Sequence, residues 1–251
     1  MAGHSKWKNI MHKKGKTDAQ RAKTFTKIGK EITIVIKEGG ANPVSNGKLR
    51  DLIAKAKSLN VPNDNIERII KKASGADRAE YENINYEGYG PNGIAVIVEC
   101  ATDNRNRTSG DIRHYFDKFG GNLGAMGCVS YLFSKKGTVI VEANGANIDE
   151  ESFMIDALEA GANDFVFIKG DGKDNEDSVF EVDVDPTRVS EVSGNLSTAG
   201  YTILSAETEM VPSTYATADE AGTLNMTKLI DHLEDHDDVL NIWHNWEQSD
   251  D

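Results

Sequence analysis

Apolar positions change their period partway along the chain. Up to residue 75 they recur every three or four residues, the spacing of one helix face. Thr17 and Gln20 form a capping box, and Ala22, Phe25, Ile28, Ile32 and Val35 follow on one side until Gly39-Gly40. Asn42-Pro43 offers an N-cap and an N1 proline ahead of Leu49, Leu52, Ile53 and Ala56. A third helix begins near Pro62, carries Ile66, Ile69, Ile70 and Ala73, and stops at Gly75. This spacing predicts a three-helix domain over residues 1–80.

Beyond residue 80 the pattern turns to short β-branched runs. Ile94–Cys100 and Val129–Phe133 read as strands. Between them Thr108–Asp111 can cap a helix with Ile112, Tyr115, Phe116 and Phe119 inward, ending at Gly120-Gly121. From 137 to 209 the order is β-α-β-β-α-β, the ferredoxin-like order. Its strands lie near 138–142, 164–168, 179–184 and 201–206, and its helices near 149–160 and after Asp185-Pro186. A last helix, with Met226, Leu229, Ile230 and Leu233 on its stripe, and a strand at Val239–Trp243 still need a sheet. The incomplete one is built from 81–134. The expectation is an α+β protein: a three-helix domain, a discontinuous α+β domain from 81–134 plus 210–251, and a βαββαβ domain at 135–209 inserted in it.

Charge sharpens this division. The 251 residues carry a formal net charge of −13, which taken whole argues against a polyanion partner. Yet residues 1–80 hold 18 Lys and Arg against 8 Asp and Glu, and residues 81–251 hold 10 against 33. Residues 1–37 alone carry 10 basic and 2 acidic side chains. Segregation of this kind points to a polyanion at the N-terminal end. Lys6, Lys8, Lys13, Lys14 and Lys16 form a basic arm, with Trp7 among them to stack on a base or to pack on the body. Arg21, Lys23, Lys27 and Lys30 extend the positive surface along the first helix. The arm's other reading is a solvated tail.

The other candidate groups are fewer. Arg105 and Arg107, in Asp103–Thr108, suit phosphate or a local carboxylate equally, and Arg113 and Lys118 follow on the same helix. Gly88–Gly93 matches G-x-G-x-x-G in letters, but it precedes a strand and contains Pro91, so it reads as a turn between strands and not a dinucleotide loop. His232 and His236 have the i, i+4 spacing of a helical metal pair. They lack HExxH, and the neighbouring Asp231 and Asp235 lie opposite the apolar stripe, as in a solvated acidic face. Cys100 and Cys128 form no CxxC pair, so no disulfide framework or cysteine zinc site is expected, and a reducing cytosol fits. No stretch reaches the ~20 apolar residues of a membrane span, and the basic N-terminus lacks the apolar run of a secretory leader. No nucleophile–base pair stands out. No cofactor, metal or catalytic residue is expected.

Several segments together resemble one family. They are Ala2–Trp7 (AGHSKW), Phe25–Ile32, Tyr86–Gly93 (YEGYGPNG), Asp103–Thr108 (DNRNRT), Gly120–Gly124 (GGNLG), Tyr131–Gly137 (YLFSKKG), Ala157–Ala162 (ALEAGA), Val211–Thr214 (VPST) and the C-terminal LIDHLEDHDDV. They resemble the YebC family in order along essentially the whole chain. The resemblance implies three domains, one helical and two α+β. It also implies a DNA-binding transcriptional regulator, or a ribosome-associated factor that assists translation, with no catalytic residues or cofactor.

The combined expectation is a cytoplasmic, non-enzymatic nucleic-acid binder acting in gene expression, on DNA or on ribosomal RNA and tRNA, with the ribosome as one partner and no membrane. Its contacts are Lys6, Lys8, Lys13, Lys14, Lys16, Arg21, Lys23 and Lys27, with Arg105 and Arg107 as a second contact. The alternatives are a metal-dependent hydrolase using His232 and His236, and a protein-interaction adaptor docking through the acidic segment 207–251.

Overall fold

The structure is a computed structural model, and it describes residues 18–75, 80–143, 150–170 and 178–247. Three helices come first: α1 (Asp18–Gly39), α2 (Gly47–Ser58) and α3 (Asn63–Ala73). The expected cap at Thr17 lies outside the described residues. Their periodic apolar residues close one core of Ile28, Ile32, Ile36, Leu49, Ala56, Val61, Ile66 and Ala73. Burying each large side chain there contributes roughly 1.5–3 kcal/mol. The second helix starts later than Asn42-Pro43 suggests. Asn42 instead closes a turn by accepting from the Val44 N–H. Asn46 becomes the N-cap, accepting from Leu49 N while its amide donates to the Val35 and Gly40 carbonyls. Side-chain capping of a later turn outcompetes the proline signal.

Two four-stranded sheets follow. One has the order β3-β1-β2-β8, from β1 (Glu82–Tyr89), β2 (Ala95–Thr102), β3 (Asn122–Leu123) and β8 (Val239–His244). The helices α4 (Arg105–Lys118) and α7 (Glu220–Asp235) contribute to its core. That core joins Ile94, Val96, Val98 and Cys100 to Ile112 and Phe116 of α4 and to Met226, Leu229 and Leu233 of α7. The C-terminal strand β8 pairs antiparallel with β2, Val96 facing His244 and Val98 facing Ile242. β1 and β2 form an antiparallel pair joined through Gly90–Ile94. The glycine-rich segment is thus a turn between strands, and Asn92 takes φ 55° within it.

The other sheet has the order β5-β6-β4-β7, from β4 (Phe133–Glu142), β5 (Asp164–Ile168), β6 (Val179–Val184) and β7 (Ile203–Pro212). With α5 (Glu150–Ala160) and α6 (Val189–Thr198) this is the ferredoxin-like order that the periodicity predicts. Phe153 of α5 stacks on Phe180 of β6 at 3.9 Å between centroids, with Phe165 and Tyr201 edge-on to it. Such pairs contribute about 0.5–1.5 kcal/mol beyond area burial.

The chain forms two compact units, Met1–Arg78 with Lys136–Glu209, and Ala79–Lys135 with Met210–Asp251. Within the first, α2 meets α6 through polar contacts. The buried Asp51 accepts from the Ser190 and Ser193 hydroxyls, and Arg50 donates to the Ser190 carbonyl. Lys55 lies between Glu31 of α1 and Glu207 of β7. Burial alone would push the Lys55 ammonium down, but the two carboxylates outweigh it and hold it above the ordinary lysine range.

Val129–Phe133 is not a strand throughout. Ser130–Leu132 is a single 3-10 turn, and β4 begins at Phe133. The cause is Glu87, which is only 5% exposed in β1. Its carboxylate accepts from the N–H groups of Gly127, Val129 and Ser130 at 2.9–3.0 Å. Those donors are turned to the carboxylate and are not available to a strand ladder.

Candidate functional site

Of the expected nucleic-acid contacts, Lys6, Lys8, Lys13, Lys14 and Lys16 lie outside the described residues. Arg21, Lys23 and Lys27 lie on the first turns of α1. Arg21 is exposed and the two lysines are half-buried. Lys30, placed on the same basic side by periodicity, is instead buried, with 8% exposure. The helix packs on two sides and not one, so its polar stripe narrows toward the middle. Each of these four cations has interactions within the protein.

The second expected contact is differently built from its sequence reading. Asp103–Thr108 is not a loop before a helix. Asn104 accepts from Arg107 N at 3.1 Å and caps α4, which therefore starts at Arg105, one turn before Thr108. Both arginines are thus helical, and their environments differ. Arg107 reaches Asp103 at 2.8 Å and Asp238 at 2.9 Å. Its guanidinium is held above its ordinary value first by the hydrogen bonds to Asp238 and Asp103. Arg105 is exposed, and its guanidinium has no hydrogen-bond or ion-pair partner among the described residues.

Asp238 is the hub beneath this junction. Its side chain is 4% exposed, and one carboxylate oxygen receives Thr108 Oγ1 at 2.6 Å, Arg107 at 2.9 Å and Thr102 Oγ1 at 3.2 Å. Its backbone carbonyl accepts from Ala101 N, and its own N–H donates to His236 Nδ1. Because Nδ1 accepts, the neutral His236 ring carries its proton on Nε2, which faces Asp111 Oδ2 at 3.2 Å. The network thereby ties the end of β2, the first turn of α4 and the turn after α7 together.

This arrangement bears on the two histidines. His236 has both ring nitrogens engaged, and His232 Nδ1 lies 2.9 Å from the Lys228 carbonyl of its own helix. The Tyr115 ring stands edge-on to both imidazoles, and Phe119 lies 4.7 Å from His232. The i, i+4 pair therefore packs as an aromatic cluster between α4 and α7. Among the described residues no group of three His, Cys, Asp or Glu side chains is arranged to hold a metal ion. No described helix is long and apolar enough to cross a membrane.

The helix α4 gathers most of the cations of its unit. The unit's 99 residues contain 6 Lys and Arg against 17 Asp and Glu, and four of the six lie in Arg105–Lys118. Arg113, His114 and Lys118 are exposed there. Arg113 has no ion-pair or hydrogen-bond partner among the described residues, and Lys118 lies over the Phe119 ring.

Comparison with known proteins covers the chain nearly end to end. A family model described as the TACO1/YebC protein N-terminal domain matches residues 5–76, and one described as the TACO1/YebC second and third domain matches residues 81–246. A probable transcriptional regulatory protein of Acetivibrio thermocellus is 54% identical over 248 residues, 98% of this chain and 99% of that one. One from Ruminiclostridium cellulolyticum, named in the same words, is 53% identical over 250 residues, 99% and 97% of the two chains. The crystal structure of a conserved hypothetical protein from Aquifex aeolicus matches with a TM-score of 0.75 at 41% identity, over 92% of each chain.

Proposed function

This chain belongs to the TACO1/YebC family, and from that premise we propose that it is a non-enzymatic regulator of gene expression that binds nucleic acid through its basic N-terminal end. The observation that carries the reading is the segregation of charge. Ten basic and two acidic residues fall in positions 1–37 of a chain whose net charge is −13. Lys6, Lys8, Lys13, Lys14, Lys16, Arg21, Lys23 and Lys27 neutralise phosphates there, and Arg105 and Arg107 belong to a second contact. The acidic remainder does not oppose this, because the Debye length is about 8 Å at physiological ionic strength and charges a domain away are largely screened.

The names of the relatives favour DNA as the target, and the ribosome is the other polyanion of the cytoplasm that such an arm fits. A transcription factor reads base edges and prefers a sequence, whereas a ribosome-associated factor recognises structured RNA by shape and phosphate. The deciding experiment is ribosome co-sedimentation across a salt series beside a DNA mobility-shift assay with random competitor. For about six phosphate contacts on duplex DNA, log K falls against log salt with a slope of roughly −5. Affinity independent of salt, or unchanged after deletion of residues 1–16, overturns the reading.

A further inference from the structure

We propose that the outward face of α4, centred on Gly110, is a phosphate-contacting surface where a nucleic-acid backbone approaches the helix closely. The inference rests on the nucleic-acid reading above and locates that protein's second contact.

Gly110 is an exposed residue inside a 14-residue helix. Outside its own helix, no described atom lies within 4 Å of where its Cβ would stand, and its φ is not in the left-handed region. Nothing in the fold therefore needs a glycine there. Other glycines of this unit differ: a Cβ on Gly88 would meet the Asn122 carbonyl at 2.6 Å, and one on Gly121 the Tyr89 carbonyl at 2.6 Å. Glycine in a helix interior is unfavourable relative to alanine, so the fold alone would be better served by a side chain.

What surrounds Gly110 gives the missing side chain a use. At 3.6 residues per turn, Asn106, Arg107, Arg113 and His114 are its neighbours at i±3 and i±4. Arg105 and Lys118 mark the two ends of the helix. Arg113 has no hydrogen-bond or ion-pair partner among the described residues, whereas Arg105 lies beside Tyr86, whose hydroxyl donates to the Arg105 carbonyl. Asp117 is the one carboxylate on the exposed ridge, and Asp111 turns toward His236. A bare patch of helix flanked by the Arg107 and Arg113 guanidinium groups lets a phosphate chain lie against the backbone with Arg113 beside it. Arg107, anchored to Asp238, holds the first turn in place. The charge balance says which kind of partner fits: a unit with 17 acidic side chains gathers four of its six cations on this helix.

The test uses the full-length protein with two probes, a fluorescein-labelled DNA duplex and a labelled RNA hairpin. Gly110→Ala is expected to raise the melting temperature by about 2 °C through helix propensity. Gly110→Leu keeps the protein folded and weakens binding of the preferred probe by roughly tenfold. Arg113→Ala flattens the slope of log K against log salt by about one with no change in melting temperature. Folded Gly110→Leu and Arg113→Ala proteins that bind as tightly as the parent overturn the proposal and leave the nucleic-acid reading standing. A parent that binds neither probe nor ribosomes overturns that reading itself.

Discussion

The Arg107 guanidinium lies 2.9 Å from the Asp238 carboxylate, joining residues 131 positions apart in sequence. One partner is half-exposed and the other is buried, so their roles are unequal. Asp238 also receives the Thr102 and Thr108 hydroxyls, which lie 2.8 Å from each other. Removing it takes the one carboxylate acceptor from both and leaves the Arg107 charge with Asp103 alone. Asp238→Ala is expected to lower the unfolding free energy by roughly 3 kcal/mol, whereas Asp103→Ala, at the exposed end of the same arginine, changes it little. Urea titrations of the two variants check the contrast, and similar midpoints would contradict it.

Glu87 gives a pH-dependent counterpart. Burial alone would push its carboxyl up, but three backbone N–H donors outweigh burial and hold it below the usual carboxylate range. A depressed value means that its contribution is fully present above the unfolded value of about 4.3 and is lost as pH falls through the folded one. Glu87→Gln is therefore expected to cost about 2 kcal/mol near neutrality. The gap between parent and variant should close in acid, below the ordinary carboxylate range. A gap that stays constant into acid would show that shape, and not charge, holds the 127–130 turn.

Asp51 carries the opposite sign. Burial raises its carboxyl, and the hydrogen bonds from Ser190, Ser193 and Arg50 offset this only in part. With the folded value above the unfolded one, the native state holds the proton more tightly, so stability falls as pH rises from about 3.9 through the folded value. Asp51→Asn removes that titration. Stability measured from acid to neutral should lose this downward component in the variant, and an unchanged difference profile would place the slope elsewhere.

Lys55 between Glu31 and Glu207 should behave as a unit. Lys55→Ala leaves two largely buried carboxylates facing each other, at an expected cost of roughly 3–5 kcal/mol. Replacing all three residues by methionine is expected to recover most of that loss, since an ion triad gains little over apolar packing. Chemical unfolding of the single and triple variants checks this. Because the Lys55 value is raised, its contribution persists throughout the range below about pH 10.4 and is lost only as pH rises through the folded value.

The helices, the ferredoxin-like order and the charge division were legible because each depends on local period or composition. Val189, Val192 and Leu196 lie at helical spacing on α6 and are buried. The junction at α4 was not legible. Asp238 sits in an acidic run whose neighbours Asp235 and Glu234 are exposed, and its burial and its contacts with Thr102, Arg107 and Thr108 distinguish it. Long-range acceptors leave no periodic trace. The strand reading of Val129–Phe133 failed for the same reason: β-branched and aromatic residues fit a strand, but a carboxylate 42 residues earlier takes the Val129 N–H. Asn104 is an exception, since an Asn three positions before Arg107 carries the cap signal on its face. It was outweighed by Thr108, whose hydroxyl is spent on Asp238 instead.

Arg105 and Arg107 look interchangeable in the sequence Arg-Asn-Arg, and the structure separates them. Arg107 bridges two carboxylates from one end of its guanidinium, a geometry that a lysine's point charge does not reproduce. Arg107→Lys should therefore fall between parent and Arg107→Ala in denaturant midpoint. Arg105 has no such engagement, so Arg105→Ala should leave the midpoint where it is. If Arg105 contacts phosphate, the same change lowers the salt slope of nucleic-acid binding by about one. Midpoint and slope thus form two independent axes, with Arg107→Ala moving the first and Arg105→Ala only the second. An Arg105→Ala protein with a lowered midpoint would contradict this division, because it would mean that the fold, and not a partner, uses the exposed guanidinium.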